Sequence, residues 1–438
     1  MSNELDQILI SYDQADFDDK LNKCYMAMAG MAFFGVGVHH AENHQKVVDI
    51  LGAVSNDGDE AVAQYTEKFD GIKLTPEQFR VSKDELKKAH DEIDPTLLKS
   101  LQKAIENVRK YQTEIFIGNS THQGIKYTPI KRVGICVPGA SAPLPSTVIM
   151  TAVPAQVAGV KEIVIVSPPR YNGSIHPDIL AVCYELGIDE VYRIGGAQAV
   201  AALAYGTETI EQVYKIVGPG NQWVQTAKQI VSGLTSIDSV AGPSEVLIIA
   251  DDSANPAWVA ADMLSQAEHA PGSALVFTDS QEFATSVLDE LKKQLEQLSR
   301  SEETKKCLKE FSGIVVFEKM DDVIVWANGF ATEHLQIQCG DQSREIAERI
   351  DNAGAIFIGD YSPVAVGDYW AGPSHTLPTG RSALFSSALS SNDFIKATSI
   401  IEYDKKQLAA SADDIIRLAE AEGLDAHANS VRIRQDNG

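Results

Sequence analysis

Short apolar runs alternate with amphipathic stretches of helical length from residue 130 onward, and this alternation restricts the fold more than any other feature. The runs include VGICV, EIVIV, VLIIA, ALVF, GIVVF and AIFIG, and helical patterns separate them. Buried strands that alternate with helices indicate parallel sheets with helices on both faces. Because there are too many such units for one sheet, the sequence predicts an α/β fold with two Rossmann-like, doubly wound parallel-sheet domains.

The same pattern predicts two Rossmann-like domains flanked by small helical segments, residues 1–32 and 387–438. In doubly wound sheets, ligands bind beyond the carboxyl ends of the strands, often in a cleft between domains. We therefore expect the functional residues to follow the predicted strands.

The charge balance excludes several classes of partner. Lys and Arg number 37 against 61 Asp and Glu, for a formal net charge of −24, so we expect no basic face for nucleic acid. The apolar run of residues 25–38 is too short to span a bilayer. Five cysteines without CxxC spacing are typical of a reducing compartment. The sequence thus predicts a cytoplasmic protein that binds neither nucleic acid nor membranes.

The stretch SQAEHAPG at residues 265–272 places two potential metal ligands one helical turn apart. Gln266 and His269 lie on the same face of a predicted helix, just before a Pro-Gly stop. Zinc accepts nitrogen and oxygen ligands, and a catalytic zinc site keeps one position open for substrate. Taken alone, the pair also fits a solvated helix end. The other polar segments of the chain are needed to choose between this interpretation and a metal site.

Four further segments combine polar groups with turn residues: AGPSEVLIIAD, ATEHLQIQ, AVGDYWAGPSHTLPTG and AEAEGLDAHANS. Their candidate site residues are Ser244, Glu333, His334, Asp368, His375, Glu422 and His427. Taken separately, these residues also fit a turn hydroxyl, a strand-edge ion pair and capped surface turns. A loop that holds Asp, Gly, Pro and His after a strand is equally a plausible binding loop.

The order and spacing of these segments resemble those of the histidinol dehydrogenases. The resemblance is carried by VGxxVPG at residues 133–139, GGAQAVAALAYGTETI, KIVGPGN, AGPSEVLIIAD, LSQAEH, EHLQIQ, GDYxAGPSHTLPTG and EGLDAHA. It extends from about residue 45 to residue 435 and is dense from residue 130, whereas the N-terminal residues match poorly.

The resemblance implies an enzyme that oxidises L-histidinol to L-histidine through L-histidinal, using two NAD and one Zn²⁺ per subunit. The implied zinc ligands are Gln266, His269, Asp368 and His427. Zinc cannot accept electrons, so it would act as a Lewis acid on the amino alcohol while hydride passes to the nicotinamide. His334 matches the base that removes the alcohol proton, and Glu333 matches the base that activates water to attack histidinal.

Other matches imply substrate, cofactor and subunit contacts. The implied substrate-binding residues are Ser244, Gln266, His269, His334, Asp368, His375, Glu422 and His427, and the implied NAD contacts are Gln198 and Asn221. The enzyme would be a homodimer in which the tail of residues 387–438 reaches the partner's site and residues 1–32 assist dimerisation. Zinc and the catalytic residues would belong to the domain of residues 33–135 and 245–386, and NAD to the domain of residues 136–244.

Four positions depart from the family pattern. Cys136 and Ala140 replace a frequent Tyr and a frequent Gly on the NAD side, and Val364 and Ser374 replace a frequent Glu and a frequent Asn beside the substrate loop. None of the four is an implied zinc ligand or base. They leave open a related dehydrogenase that acts on another vicinal hydroxyl compound, such as a sulfonated diol.

Three other classes also remain open. A zinc hydrolase would use Glu333 to activate water without redox chemistry, and a metal-bound structural homologue would have no activity. A thiol-dependent aldehyde dehydrogenase would need Cys339, which follows the EHLQIQ run. Intact ligand and base positions favour the histidinol dehydrogenase over all three.

Overall fold

The computed structural model describes residues 4–32, 38–139, 143–268, 272–298 and 301–436. The chain divides into a main unit, Met1–Ile117 with Pro129–Ile395, and a C-terminal unit, Gly118–Thr128 with Lys396–Gly438. Both parallel sheets belong to the main unit. Across the described ranges, we find no helix with the length and apolarity needed to span a bilayer.

The larger sheet has six strands, each parallel to its neighbours. Their spatial order is β1 (Leu9–Ser11), β10 (Gly313–Val316), β9 (Ser273–Thr278), β8 (Glu245–Ala250), β11 (His334–Gln338) and β12 (Ala355–Ile358). Val246 and Ile248 of β8 pack into one core, and Leu247 and Ile249 pack into the core on the opposite face. The strand is apolar throughout because both faces of the sheet are covered.

The helices that accompany the larger sheet are α1 (Phe17–Ala32), α10 (Pro256–Ala267), α11 (Gln281–Leu295), α12 (Ser301–Phe311), α13 (Met320–Phe330), α14 (Ser343–Glu348) and α15 (Val364–Tyr369). Leu21 and Met28 of α1 are buried in the same core as Leu247. The N-terminal segment is therefore not purely helical as predicted, because it also supplies β1, an edge strand of the sheet.

The smaller sheet has five parallel strands in the order β5 (Glu190–Tyr192), β4 (Glu162–Val166), β3 (Arg132–Cys136), β6 (Lys215–Val217) and β7 (Ser236–Ile237). The chain adds β4 and β5 on one side of β3, then β6 and β7 on the other side. Nucleotides bind at such a reversal of strand order in doubly wound folds. Two sheets of parallel strands, each with helices on both faces, confirm the predicted fold class.

The helices around the smaller sheet are α2 (Val38–Asp70), α3 (Pro76–Phe79), α4 (Lys83–Glu92), α5 (Pro95–Glu114), α6 (Pro145–Val157), α7 (Pro177–Glu185), α8 (Gly196–Tyr205) and α9 (Gln222–Val231). One face of the sheet packs with α2, α8 and α9, and the other packs with α4 to α7. The sequence placed residues 33–135 with the domain of residues 245–386, whereas these helices pack on the smaller sheet. Their apolar faces indicate burial, but they do not specify the sheet that buries them.

The C-terminal unit pairs β2 (Ile125–Pro129) with β13 (Ile395–Ser399) and packs α16 (Lys405–Ala421) against α17 (Asp425–Asp436). Asp404 caps α16, because its Oδ1 accepts the N–H of Gln407 at 2.7 Å. The predicted tail of residues 387–438 is thus mainly helical. Its compact unit starts later, at Lys396, and includes a segment from much earlier in the chain.

Candidate active site

Two neighbouring central strands begin with ionisable residues. β8 begins at Glu245 and β11 begins at His334, and His334 is paired with Val246 in the parallel register. Ser244 and Glu333 immediately precede the two strands. These side chains therefore lie at the amino edge of the larger sheet, which corrects the expectation that its functional residues follow the strands.

The loop that contains His375 is held between this amino edge and the smaller sheet. Thr147 lies in α6, which follows β3, and its Oγ1 is 3.4 Å from Nε2 of His375. Gln112 of α5 donates from Nε2 to the main-chain oxygen of Gly372 at 3.3 Å. This loop thus contacts α6, which follows the carboxyl end of β3, and α5, which precedes β3.

Glu333 and His334 form a buried pair, with exposed fractions of 5% and 4%. Nδ1 of His334 is 2.9 Å from the main-chain oxygen of Glu245 and 3.4 Å from Oε2 of Glu333. Because a carbonyl oxygen only accepts hydrogen bonds, we place the proton of the neutral ring on Nδ1. Nε2, which lies 3.7 Å from Oδ1 of Asp368, is then the proton acceptor of the ring.

Sequence reasoning missed Glu245, which is fully buried beside this pair. Its Oε1 accepts the N–H of Gly380 at 2.7 Å, and its Oε2 accepts the N–H of Glu333 at 3.4 Å. Its own N–H donates to Oε2 of Glu333 at 2.9 Å. In the sequence this residue ends the turn-like segment AGPSE, where a solvated glutamate is the ordinary expectation, so no pattern signals its burial.

Burial and neighbouring charges shift the pKa values of this trio toward neutral pH and above. Burial raises the pKa of Glu245 to about 8, and the Glu333 carboxylate adds to the shift. Burial raises the pKa of Glu333 to about 7, although His334 opposes the shift. Burial lowers the pKa of His334, but the carboxylates of Glu333 and Asp368 outweigh it and raise the pKa to about 9. Groups that titrate near neutral pH in a closed site are typical of acid–base catalysis.

Ser244, Asp368 and His375 surround the pair. The Ser244 hydroxyl donates a hydrogen bond to the Glu333 carboxylate, which lowers the pKa of that group. Burial lowers the pKa of His375, with the Asp368 carboxylate opposing the shift, so this ring is neutral near pH 7. The structure therefore brings together five predicted site residues from three separate segments of the sequence.

The helix α10 carries Gln266 toward the same edge. One turn earlier, Asp262 accepts hydrogen bonds from Nε2 of Gln336 at 3.0 Å and from Nε2 of Gln338 at 2.9 Å. The helix α10 connects two parallel strands and therefore runs antiparallel to them. Gln266 thus lies closer than Asp262 to the amino end of β11, where His334 is. Gln266 is 3% exposed, and its Nε2 has no hydrogen-bond partner among the described residues. A buried amide of this kind is normally completed by a ligand or water.

The donor chemistry of Gln266 and Asp368 fits a zinc ion, which accepts oxygen ligands beside imidazole nitrogen. A half-turn of the Gln266 amide would present its oxygen where the unpartnered nitrogen now lies. Within the described ranges, no group of three or more His, Cys, Asp or Glu side chains is arranged to hold a metal. His269 lies outside those ranges, and His427 lies in α17 of the C-terminal unit, with an exposed side chain. Glu422 ends α16 of the same unit and is also exposed.

The predicted NAD contacts follow strands of the smaller sheet. Gln198 lies in the first turn of α8, after β5, and is 1% exposed. Neither atom of its amide has a hydrogen-bond partner in the part of the chain that the structure describes. Asn221 follows β6 and caps α9, since its Oδ1 accepts the N–H groups of Trp223 at 3.1 Å and Val224 at 3.2 Å. Asn221 borders the reversal of strand order between β3 and β6, where a nucleotide is expected.

The cysteines are not placed for thiol chemistry. Cys339 follows β11 at the carboxyl edge of the larger sheet, opposite the edge that holds Glu333, and burial strongly raises the pKa of its thiol. Burial also raises the pKa of Cys136 to about 12. Such thiols carry no thiolate at neutral pH, so the geometry disfavours a thiol-dependent aldehyde dehydrogenase. All five cysteines lie within the described residues and are unpaired.

The other departures from the family pattern have ordinary packing environments where they are described. Val364 is 7% exposed and packs in the core beside β8. Ser374 is 2% exposed, and its Oγ accepts the N–H of Thr376 at 3.1 Å. Ala140 lies outside the described residues. Neither Val364 nor Ser374 displaces any of the side chains around Glu333 and His334.

Several known proteins are similar to this chain in sequence and in fold. A sequence model of the family described as histidinol dehydrogenase matches residues 37–435. The histidinol dehydrogenase of Rhodopirellula baltica is 47% identical over 397 residues, covering 89% of this chain and 86% of the relative. That of Oceanobacillus iheyensis is 47% identical over 408 residues, covering 91% and 95%. The crystal structure of histidinol dehydrogenase from Elizabethkingia anophelis has a TM-score of 0.85 and 38% identity, covering 90% of this chain and 92% of that one.

Proposed function

Because the chain belongs to the histidinol dehydrogenase family of oxidoreductases, we propose that it catalyses the four-electron, NAD- and zinc-dependent oxidation of L-histidinol to L-histidine through L-histidinal. The observation that carries the proposal is the buried pair of Glu333 and His334 beside Asp368. Oxidation of an alcohol and then of an aldehyde needs one base for the hydroxyl proton and one for the attacking water. The pair supplies both.

The proposed zinc ligands, for one ion per subunit, are Gln266, His269, Asp368 and His427, and the proposed NAD contacts are Gln198 and Asn221. When bound, zinc would orient and polarise the amino alcohol, and NAD would accept the two hydrides. The buried amides of Gln266 and Gln198, with atoms that lack partners within the described residues, support these assignments.

In the first oxidation, Nε2 of His334 takes the proton of the substrate hydroxyl. Contacts to the main-chain oxygen of Glu245 and to Oε2 of Glu333 keep the proton on Nδ1, so Nε2 is the basic atom. With Asp368 engaged in metal binding, less negative charge faces the ring, which lowers its pKa and favours the neutral form that a base requires. The Glu333 carboxylate then stabilises the imidazolium that results.

In the second oxidation, the Glu333 carboxylate takes a proton from the water that attacks the aldehyde carbon of histidinal. The hydrated aldehyde loses its hydride and becomes the carboxylate of histidine. For each histidinol, one water is consumed, two hydrides leave, and three protons are released. A carboxyl group with a pKa of about 7 is poised to take and return that proton near neutral pH.

Recognition of the substrate would use Ser244 and His375 of the main unit, with Glu422 pairing with the substrate ammonium. We propose a homodimer in which the C-terminal unit supplies Glu422 and His427 to the site of the partner subunit. The C-terminal unit exposes Ile401 at 84% and Leu418 at 67%. Ile400 and Tyr403 beside Ile401 are also exposed, at 44% and 60%, and a contiguous exposed apolar segment is typical of an association surface, which supports the proposed dimer.

The test is a product count. Purified protein loaded with zinc and supplied with NAD and histidinol should form two NADH for each histidine. Histidine formation without NADH would contradict the redox reaction, and one NADH with accumulating histidinal would contradict the four-electron sequence. Dihydroxypropanesulfonate in place of histidinol should give no NADH.

A further inference from the structure

The side chain of Glu245 is fully buried. Its carboxyl group contacts two segments that are remote in sequence, through the N–H of Gly380 at 2.7 Å and the N–H of Glu333 at 3.4 Å. Burying a carboxyl group is costly even with such partners, and an apolar side chain would avoid that cost. The cost indicates that the site needs these two contacts.

Glu245 and Glu333 bind each other reciprocally. The N–H of Glu245 donates to Oε2 of Glu333 at 2.9 Å, while the N–H of Glu333 donates to the carboxyl group of Glu245. The orientation of the Glu333 carboxylate is therefore set by the main chain of β8, and the main chain at Glu333 is in turn held by the side chain of Glu245.

The same residue contacts the ring of His334. The main-chain oxygen of Glu245 accepts the proton of Nδ1 at 2.9 Å, which leaves Nε2 as the basic atom. If the side-chain anchors of Glu245 to Gly380 and Glu333 were lost, the start of β8 would be free to shift, and this contact would weaken.

We propose that Glu245 is a positioning residue that holds Glu333 and His334 in the relative orientation that proton transfer requires. This inference rests on the proposed roles of Glu333 and His334. Because both carboxyl oxygens of Glu245 are engaged by main-chain N–H groups of the protein, we expect it to act on the rate of the chemical steps rather than on binding.

The test compares Glu245→Gln with the wild type and with Glu245→Asp in the zinc-loaded enzyme. Each oxygen of a carboxyl group can accept an N–H whether or not the group is protonated, whereas the NH₂ group of a glutamine cannot accept and must face the N–H of either Gly380 or Glu333. We expect kcat to fall by at least about tenfold while KM for histidinol changes less than about threefold, since small misplacements of catalytic groups cost this much or more. Glu245→Asp keeps two acceptor oxygens and should recover part of the loss.

A matched control separates this effect from the loss of any buried acid. Asp59 is 4% exposed and accepts a hydrogen bond from Oγ1 of Thr209 at 3.1 Å, on the outer helix α2. Asp59→Asn should leave kcat within about twofold of the wild type, because it contacts none of the site residues. Equal losses of kcat in Glu245→Gln and Asp59→Asn would overturn the proposal.

A second measurement does not depend on turnover. In nitrogen-15 NMR spectra of the zinc-loaded, histidine-labelled protein, in which the ring of His334 is neutral, the wild-type signal assigned with His334→Gln should show a protonated Nδ1. The Glu245→Gln spectrum should show a mixture of tautomers. An unchanged His334 signal together with kcat within twofold of the wild type would overturn the positioning role. An inactive wild type with the expected NMR change would instead refute the proposed reaction while supporting the positioning role.

Discussion

The ammonium nitrogen of Lys228 lies 2.9 Å from the main-chain oxygen of Gly218. Lys228 is fully buried and forms an ion pair with Asp238, whose Oδ2 accepts the N–H of Gly218 at 2.7 Å. Gly218 has a φ of 107°, and a Cβ there would collide with the main-chain oxygen of Cys136. The N–H and the C=O of Gly218 are therefore both hydrogen-bonded, which fixes the loop between β6 and α9 three residues before Asn221.

We predict that Lys228→Met lowers the free energy of unfolding by about 3–5 kcal/mol, because Asp238 is left as an unpaired buried charge. The double variant Lys228→Met with Asp238→Asn should recover much of this loss. Both variants should bind NAD more weakly than the wild type if the loop contacts the cofactor. Urea unfolding and NAD titration check the two effects, and Lys309→Met, which breaks an exposed ion pair with Glu4, should change the unfolding midpoint little.

We predict that Glu333→Gln mainly stalls the second oxidation. The variant keeps the shape of the side chain but cannot take the proton of the attacking water, so turnover of histidinal should fall on the order of 10²-fold or more. Formation of the first NADH from histidinol in a single turnover should be much less affected. Stopped-flow measurement of NADH with each substrate separates the steps. Equal impairment of both steps would reject the division of labour between Glu333 and His334.

The raised pKa of Glu245 predicts a pH dependence of stability. The folded state favours protonated Glu245, because the folded-state pKa of about 8 lies above the ordinary value of a glutamate. The contribution of this group to the free energy of unfolding is therefore complete at low pH and is lost as the pH rises through about 8. Removing the titration in Glu245→Gln should therefore favour the variant progressively between pH 5 and pH 8.5, by on the order of a few kcal/mol. Urea unfolding of both proteins across this range tests the slope, and parallel curves would contradict the shift.

We predict that two inactive variants restore activity when their subunits are exchanged. His427→Ala removes a group that the partner's site would use, and Glu333→Gln removes a base of the subunit's own site. Each mixed dimer would contain one intact site and one doubly altered site, so random exchange should give about a quarter of wild-type activity. Mass spectrometry would verify the exchange, and no recovery in verified mixed dimers would reject shared sites.

Strands and helices were predictable wherever burial follows a simple period. VLIIAD and AIFIGD are each an apolar run followed by a turn, and they form β8 and β12 as expected, with β8 fully buried and the edge strand β12 only partly buried. The sequence LIS of β1 is too short to carry a period, and only pairing with β10 makes it a strand. The helix α12 was also missed, since its sequence SEETKKCLKEF is mostly charged and only one side of it is buried.

Part of the candidate site was also predictable. Asp368, His375 and the Glu333–His334 pair were identified as candidates, and the structure brings them together. The edge of the sheet at which the site lies was predicted wrongly. Ligands generally bind at the carboxyl ends of parallel strands, and this preference outweighed the observation that Glu333 and His334 precede an apolar run. Glu245 and Lys228 could not be recognised, since each is buried by a contact with a remote segment. A glutamate after a turn and a lysine in an amphipathic helix are both ordinary surface residues by sequence.

The strand β1 lies outside the range that the family model matches, yet it covers the edge of β10. A chain shortened to residues 37–435 would leave the edge of Ile314–Val316 without this neighbour. Apolar strands with an open edge join other open edges. We therefore expect β1 to shield the sheet from association through this edge, so that versions shortened to the family boundaries precipitate more readily than the protein of residues 1–438.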